Sequence, residues 1–207
     1  VRAEPLFPAP LFESGSRAAA IVATDFNGDG QMDLATVDTG GGFISVLLGT
    51  GHGALAREVH YHTYFILRSL ATADLNGDGV LDLVGGGSGV FVVLPGRGDG
   101  TFGPSATYSA GSNLASLALV DLDEDGAPDL VAVSKGGIFC SGCPDIPGEV
   151  ELFLGSGDGR FDPPARLTAG EHPATVAVAD IDGDGHVDLA VGNSASNDVS
   201  VFPGGGD

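Results

Sequence analysis

Asp25-Phe26-Asn27-Gly28-Asp29-Gly30-Gln31-Met32-Asp33-Leu34 is an acidic, glycine-broken stretch set between two short apolar runs. Its pattern, D-x-[DN]-x-D-G-x-x-D-L, recurs three times. The second copy carries Asp74, Asn76, Asp78, Gly79, Asp82 and Leu83. The third carries Asp121, Asp123, Asp125, Gly126, Asp129 and Leu130, and the fourth Asp180, Asp182, Asp184, Gly185, Asp188 and Leu189. The copies begin 49, 47 and 59 residues apart, and a period near that length marks a repeat architecture. The extra residues of the last interval fall between Ser134 and Gly148 and read as a loop insertion.

Working outward, each copy follows a run of small apolar residues: Ala18 to Ala23, Leu70 to Ala73, Leu117 to Val120 and Val176 to Ala179. A second run follows each copy, and a third ends in a glycine turn at Gly49, Gly96, Gly155 and Gly204. Leu55, Phe102 and Phe161 then anchor a fourth segment. The runs are short, rich in β-branched residues and bounded by Gly, Asp, Asn and Pro, which is the strand signature. Helical periodicity is absent. The expected fold is all-β: a β-propeller of four-stranded antiparallel blades, four repeats, with the Ala-rich first strand innermost. Blades are expected near 17–64, 65–111, 112–170 and 171–207. Phe7 precedes Asp25 by 18 residues, close to the 19 that separate Phe102 from Asp121. Residues 5–15 therefore read as an outer strand, and residues 1–16 are expected to complete the last blade and close a single domain over 1–207. A piece of a longer propeller cut at the same phase has the same pattern.

Composition narrows the function. Only 8 residues are Lys or Arg against 28 Asp or Glu, for a net charge of −20. That excludes electrostatic binding to nucleic acid or to an anionic membrane. Hydrophobic residues make up 43% of the chain, so the charge does not signal disorder. No apolar run approaches the ~20 residues of a membrane span. Val1 is not an initiator Met, and the chain reads as processed or trimmed.

In each copy, loop positions 1, 3, 5 and 9 bear short oxygen side chains, and the Gly at position 6 permits a sharp turn. A loop wrapped in this way turns alternate side chains toward a common centre. The backbone carbonyl of position 7 can join them, at Gln31, Val80, Ala127 and His186. Five or six hard oxygen donors suit Ca²⁺ better than Mg²⁺, which demands a tighter octahedron. Zinc and copper prefer nitrogen or sulfur. Up to four Ca²⁺ are expected. The EF-hand alternative needs a bidentate Glu at position 12, where this chain has Thr36, Gly85, Ala132 and Val191. The ligand positions hold 14 of the 28 acidic residues, whose mutual repulsion a cation would relieve.

On these residues the repeats resemble the FG-GAP/VCBS type, found in the propeller head of integrin α-subunits and in many secreted bacterial proteins. The resemblance implies that the loop joins the first two strands of a blade and that its metal is mainly structural. Extracellular calcium is high enough to fill weak sites, so an extracellular setting, secreted or at the cell surface, is expected. Propellers of this family usually have seven blades, against the four counted here. The third copy departs from the others, with Glu124 in place of Gly and Pro128 before the last ligand. Its site is expected to be the weakest or most distorted of the four.

The remaining features read as structural. Cys140 and Cys143 lie in the insertion and fit a loop-stapling disulfide, with free thiols as the alternative. Arg97-Gly98-Asp99 occupies a turn that reads Ser156-Gly157-Asp158 in the next repeat. His60 and His62 share one face of an outer strand. Phe26, Phe91, Phe102, Phe153, Phe161 and Phe202 recur at repeat positions and fit a core between blades. No nucleophile elbow, HExxH or phosphate loop is present, so no enzyme activity is expected. The function expected is a calcium-binding propeller acting as an extracellular binding, adhesion or scaffold module for a protein or glycan ligand. The alternative is a fragment or accessory domain of a secreted polysaccharide-active enzyme.

Overall fold

The computed structural model describes residues 17–137 and 147–205. Among them there is no helix, and every strand pairing is antiparallel. The first sheet comprises β1 (Ala18–Thr24), β2 (Asp33–Asp38), β3 (Phe43–Leu47) and β6 (Val59–His62), in that order. A short ribbon of β4 (Gly49–Gly51) and β5 (Ala54–Leu55) lies between its last two strands in sequence. The second sheet runs β7 (Leu67–Ala73), β8 (Asp82–Gly87), β9 (Val90–Leu94) and β10 (Ala106–Ser109). The third runs β11 (Leu114–Val120), β12 (Asp129–Ser134), β13 (Glu149–Phe153) and β14 (Ala165–Leu167). The fourth has three described strands, β15 (Pro173–Ala179), β16 (Asp188–Asn193) and β17 (Asp198–Phe202).

The sheets pack in sequence order, with β1 against β7, β7 against β11 and β11 against β15. Small residues dominate these first strands because they must approach one another closely. Three apolar cores fill the spaces between sheets. Ala35, Val37, Ile44 and Val46 of the first sheet meet Leu83, Val92 and Leu94 of the second. Val84, Phe91 and Val93 meet Leu130, Ala132 and Phe153. Val131, Val133 and Val150 meet Leu189 and Val191. The recurring Phe residues lie in these cores as expected: Phe102 packs edge-on against Phe26 at 5.3 Å, and Phe161 against Phe91 at 5.5 Å.

The closed four-bladed ring expected from the sequence is not seen. Among the described residues the sheets form an open run, and no packing of the same extent joins β15 to β1. Sheet four shows what is uncovered. Its pairing places Val201, Val199 and Ile181 at the positions held in the first repeat by Val46, Ile44 and Phe26. The latter three are buried beneath the next sheet, whereas Val201, Val199 and Ile181 are 51%, 63% and 50% exposed. The strand expected over residues 5–15 and the disulfide expected between Cys140 and Cys143 lie outside the described residues.

One glycine repeats for a steric reason. A Cβ on Gly49, Gly96, Gly155 or Gly204 would strike the backbone carbonyl of Met32, Leu81, Pro128 or Val187, the residue just before the second strand. Backbone cannot swing aside as a side chain can. Gly96→Ala is therefore expected to cost about 1–3 kcal/mol, read as a fall in the thermal midpoint. A midpoint within a degree of the native one would show that the loop shifts freely.

Candidate metal loops

Each acidic loop connects the first strand of a sheet to the second, as the resemblance implied. The local fold is a succession of turns in which a side-chain oxygen accepts the N–H two residues on. At position 5, Asp29, Asp78, Asp125 and Asp184 accept from Gln31, Val80, Ala127 and His186 at 2.7, 2.8, 2.8 and 2.9 Å. At position 3, Asn27, Asn76, Asp123 and Asp182 accept from the position-5 N–H at 3.0, 2.9, 3.3 and 3.1 Å. At position 1, Oδ2 of Asp25, Asp74, Asp121 and Asp180 accepts from the position-6 Gly at 2.7, 2.8, 3.0 and 3.0 Å. Those glycines have φ between 80° and 96°, the left-handed region that Gly enters without strain. In the first two loops Oδ1 of the position-1 Asp accepts three further N–H groups. Hydrogen bonds from the loop backbone, Gly30 foremost, hold the Asp25 carboxyl below the ordinary value.

The third loop differs from the others in its backbone. Glu124 stands at φ 61°, where Gly28, Gly77 and Gly183 occupy the other loops. Asp121 Oδ1 is buried and has no hydrogen-bond partner. Yet this loop brings ligand atoms of Asp121, Asp123 and Asp129 within 4.8 Å of one another, and the fourth loop does the same with Asp180, Asp182 and Asp184. The carboxylates of the first two loops do not converge to that spacing. Asn27 and Asn76 stand where the later loops have Asp, which leaves three carboxylates in each of these loops against four in the later ones.

Position 9 does more than its sequence position implied. Asp33, Asp82, Asp129 and Asp188 are all buried. Oδ2 of each accepts the N–H of loop position 2, from Phe26, Leu75, Leu122 and Ile181 at 2.8, 3.1, 2.8 and 2.7 Å. Oδ1 of each accepts the N–H of Gly49, Gly96, Gly155 or Gly204 at 2.6, 2.7, 2.7 and 2.7 Å. Each carboxylate thus ties the loop to the end of the sheet's third strand. Its oxygens keep second lone pairs that a cation can still use. Burial raises the Asp82 carboxyl above its ordinary value despite those bonds, and Asp78 and Asp74 add to the effect. Burial likewise raises Asp129, beside Asp123 and Asp125. Asp188 is lowered by the N–H groups of Gly204 and Ile181.

A further contact was not legible in the sequence. His186 Nδ1 lies 2.6 Å from Glu124 Oε1, which links the fourth loop to the third. The donor set of every loop is oxygen alone, and an unpartnered buried carboxylate oxygen faces one of them. Both features fit a hard divalent cation. The other motifs are structural where described. Arg97-Gly98-Asp99 forms a turn closed by Arg97 N–H to Thr101 O at 3.0 Å. His60 and His62 are exposed and flank Phe43, with ring centroids 4.3 and 6.1 Å away.

Fold and loops together define an all-β repeat protein of propeller-like build. The model of the FG-GAP-like repeat matches residues 25–85, 74–132 and 138–191, and the chain belongs to that family. No curated protein matches the sequence. Among solved structures, the chain is similar to a lectin of Agrocybe aegerita that specifically recognises non-reducing terminal N-acetylglucosamine, at 20% identity and TM-score 0.61, over 93% of this chain and 51% of that one. It is also similar to BBS1N from a complex with ARL6DN, at 14% identity and TM-score 0.58, over 91% of this chain and 57% of that one. The NanB sialidase of Streptococcus pneumoniae matches at 11% identity and TM-score 0.54, over 87% of this chain and 29% of that one. The chain thus spans about half the length of the first two, 51% and 57%, and these likenesses concern the fold.

Proposed function

We propose that the protein is a calcium-stabilised propeller module that presents a rigid binding surface to a protein or glycan ligand outside the cell. The observation that carries the metal assignment is the fourfold recurrence of one oxygen-lined loop, with Asp121 Oδ1 buried and unpartnered in the third. The ligands assigned are positions 1, 3, 5 and 9 of each loop, with the position-7 carbonyl. Calcium supplies positive charge to a chain of net charge −20; four ions would reduce that to −12. Extracellular calcium is high enough to fill weak sites, which makes secretion or surface display the natural setting. Propeller-like neighbours that include a lectin support a binding role. Calorimetric titration of the decalcified protein is the test. Saturable calcium binding at two or more sites, weaker with magnesium, is expected. Heat of dilution alone would end the reading. A glycan array and a pull-down then separate glycan from protein ligands.

The electrostatics add a pH signature. The raised Asp82 and Asp129 carboxyls favour their protonated forms in the metal-free fold. That advantage is complete below the ordinary value of 3.8 and fades as pH climbs through the raised value. At pH values low enough for those protons to be bound, an entering cation must displace them. Calcium affinity is therefore expected to fall as pH drops toward the carboxylate range, with proton release on binding. Titration in buffers of different ionisation enthalpy, at neutral and mildly acidic pH, measures it.

A further inference from the structure

The first strand of every sheet carries a one-residue irregularity at its second position: pairing skips Ala19, Arg68, Ala115 and Ala174. A bulged residue leaves the hydrogen-bond ladder and frees its backbone polar groups. Arg68, Ala115 and Ala174 line one cavity of about 330 Å³ together with Asn113, Leu114 and Lys135. Each first strand runs from its bulge toward its acidic loop, so this cavity lies at the opposite end of the sheets from the metal loops.

Two residues break the repeat here. Three bulges carry Ala and the fourth carries Arg68. The residue after the second strand is Thr39, Ser88, Lys135 or Ser194, and each donates its N–H to the equivalent carbonyl, of Arg17, Ile66, Asn113 or His172. The three hydroxyls bond that same carbonyl, and Lys135 stands in place of a hydroxyl. Both departures introduce a cation, both line the same cavity, and neither cation has an ion-pair partner among the described residues. The chain has only 8 basic residues to place. Asn113 fixes the wall, with Nδ2 donating to Gly136 O at 3.2 Å.

We propose that this cavity binds the carboxylate of a sugar-sized hydroxy acid, held between Arg68 and Lys135. Arg matches a carboxylate with paired donors, and Lys adds a point charge. The Asn113 amide oxygen offers an acceptor for a hydroxyl, and backbone that a bulge takes out of the ladder can offer others. The volume is at the small end for ligand sites, which suits one sugar ring. The net negative charge of the chain disfavours multiply charged anions, so a monoanion is the fitting occupant. The site deepens the binding-module reading and rests on it, without depending on the metal.

The test is calorimetry of the whole chain with sodium glucuronate, in calcium and low salt, with glucose and inorganic sulfate as comparison probes. Saturable binding of glucuronate is expected, at least about tenfold tighter than that of either comparison, and weakened by added salt. Arg68→Ala and Lys135→Ser each restore the residue type of other repeats at exposed positions, and circular dichroism checks that both remain folded. Each is expected to weaken glucuronate binding about tenfold or more. Absence of saturable binding, glucose or sulfate binding as tightly as glucuronate, or native affinity in the double variant would overturn the site. A silent glycan array with retained glucuronate binding would count against the glycan-ligand reading while leaving this site standing. A failed calcium titration would leave the glucuronate result readable, because it needs only a folded chain.

Discussion

Removing calcium with a chelator is expected to lower the thermal unfolding midpoint by roughly 10–20 °C. The estimate takes two filled sites. A ligand present at a hundred times its dissociation constant stabilises the fold by about 2.7 kcal/mol per site, and a chain of this size shifts by about 2–4 °C per kcal/mol. The structural reason is repulsion within the third and fourth loops. Three carboxylate groups lie within 4.8 Å of one another in the third loop and again in the fourth, and burial already lifts the Asp129 carboxyl. On the proposed reading a cation relieves that repulsion and clamps the hairpin. Calcium added back in excess of chelator should restore the midpoint, and magnesium should restore less of it. A midpoint that moves by no more than a degree or two would remove calcium from the account.

The second large effect is expected at position 9, and it does not need the metal. Asp129→Ala leaves two half-buried N–H groups, of Leu122 and Gly155, without acceptors. An unsatisfied buried donor costs about 1–3 kcal/mol; with two half-buried donors the variant is expected to lose about 2–4 kcal/mol even in chelator. Asp129→Asn keeps one acceptor and sets its amide against the other N–H, for about half that loss. Asp123→Asn is the control. It reproduces the Asn27 and Asn76 of the first two loops, preserves the acceptor for the Asp125 N–H, and should change metal-free stability by less than about 0.5 kcal/mol. Denaturant melts in chelator and in calcium separate the roles. Asp129→Ala should fall in both, Asp123→Asn only in calcium. Equal midpoints for Asp129→Ala and native protein in chelator would show that the carboxylate is a ligand and no more.

The repeat, the antiparallel strands and the place of the loops were legible because they depend on local chemistry. The spacing of Asp25, Asn27 and Asp29 dictates turns in which each side chain caps the backbone two residues on, and the structure shows those bonds. Alternation of β-branched residues with Gly and Asp set the strands. What Asp33 does could not be read there. Its partner Gly49 is 16 residues away, and only pairing of β2 with β3 brings the two together. The pairing of His186 with Glu124 across 62 residues is a product of sheet packing, as is the meeting of Arg68 with Lys135 on one cavity. The described residues form an open run, and the segment assigned to close the ring, residues 1–16, lies outside them: a repeat fixes what each sheet requires of a neighbour, not which surface supplies it. By itself, then, the sequence determined the four acidic loops and the three strands that surround each of them, since turn and strand formation are settled within a few residues; the β4–β5 ribbon was not legible in it. Tertiary structure alone decided which carboxylates converge, which are spent on backbone, and that Arg68 and Lys135 meet on one cavity, because those outcomes depend on distances between segments that the chain brings together only when the sheets stack.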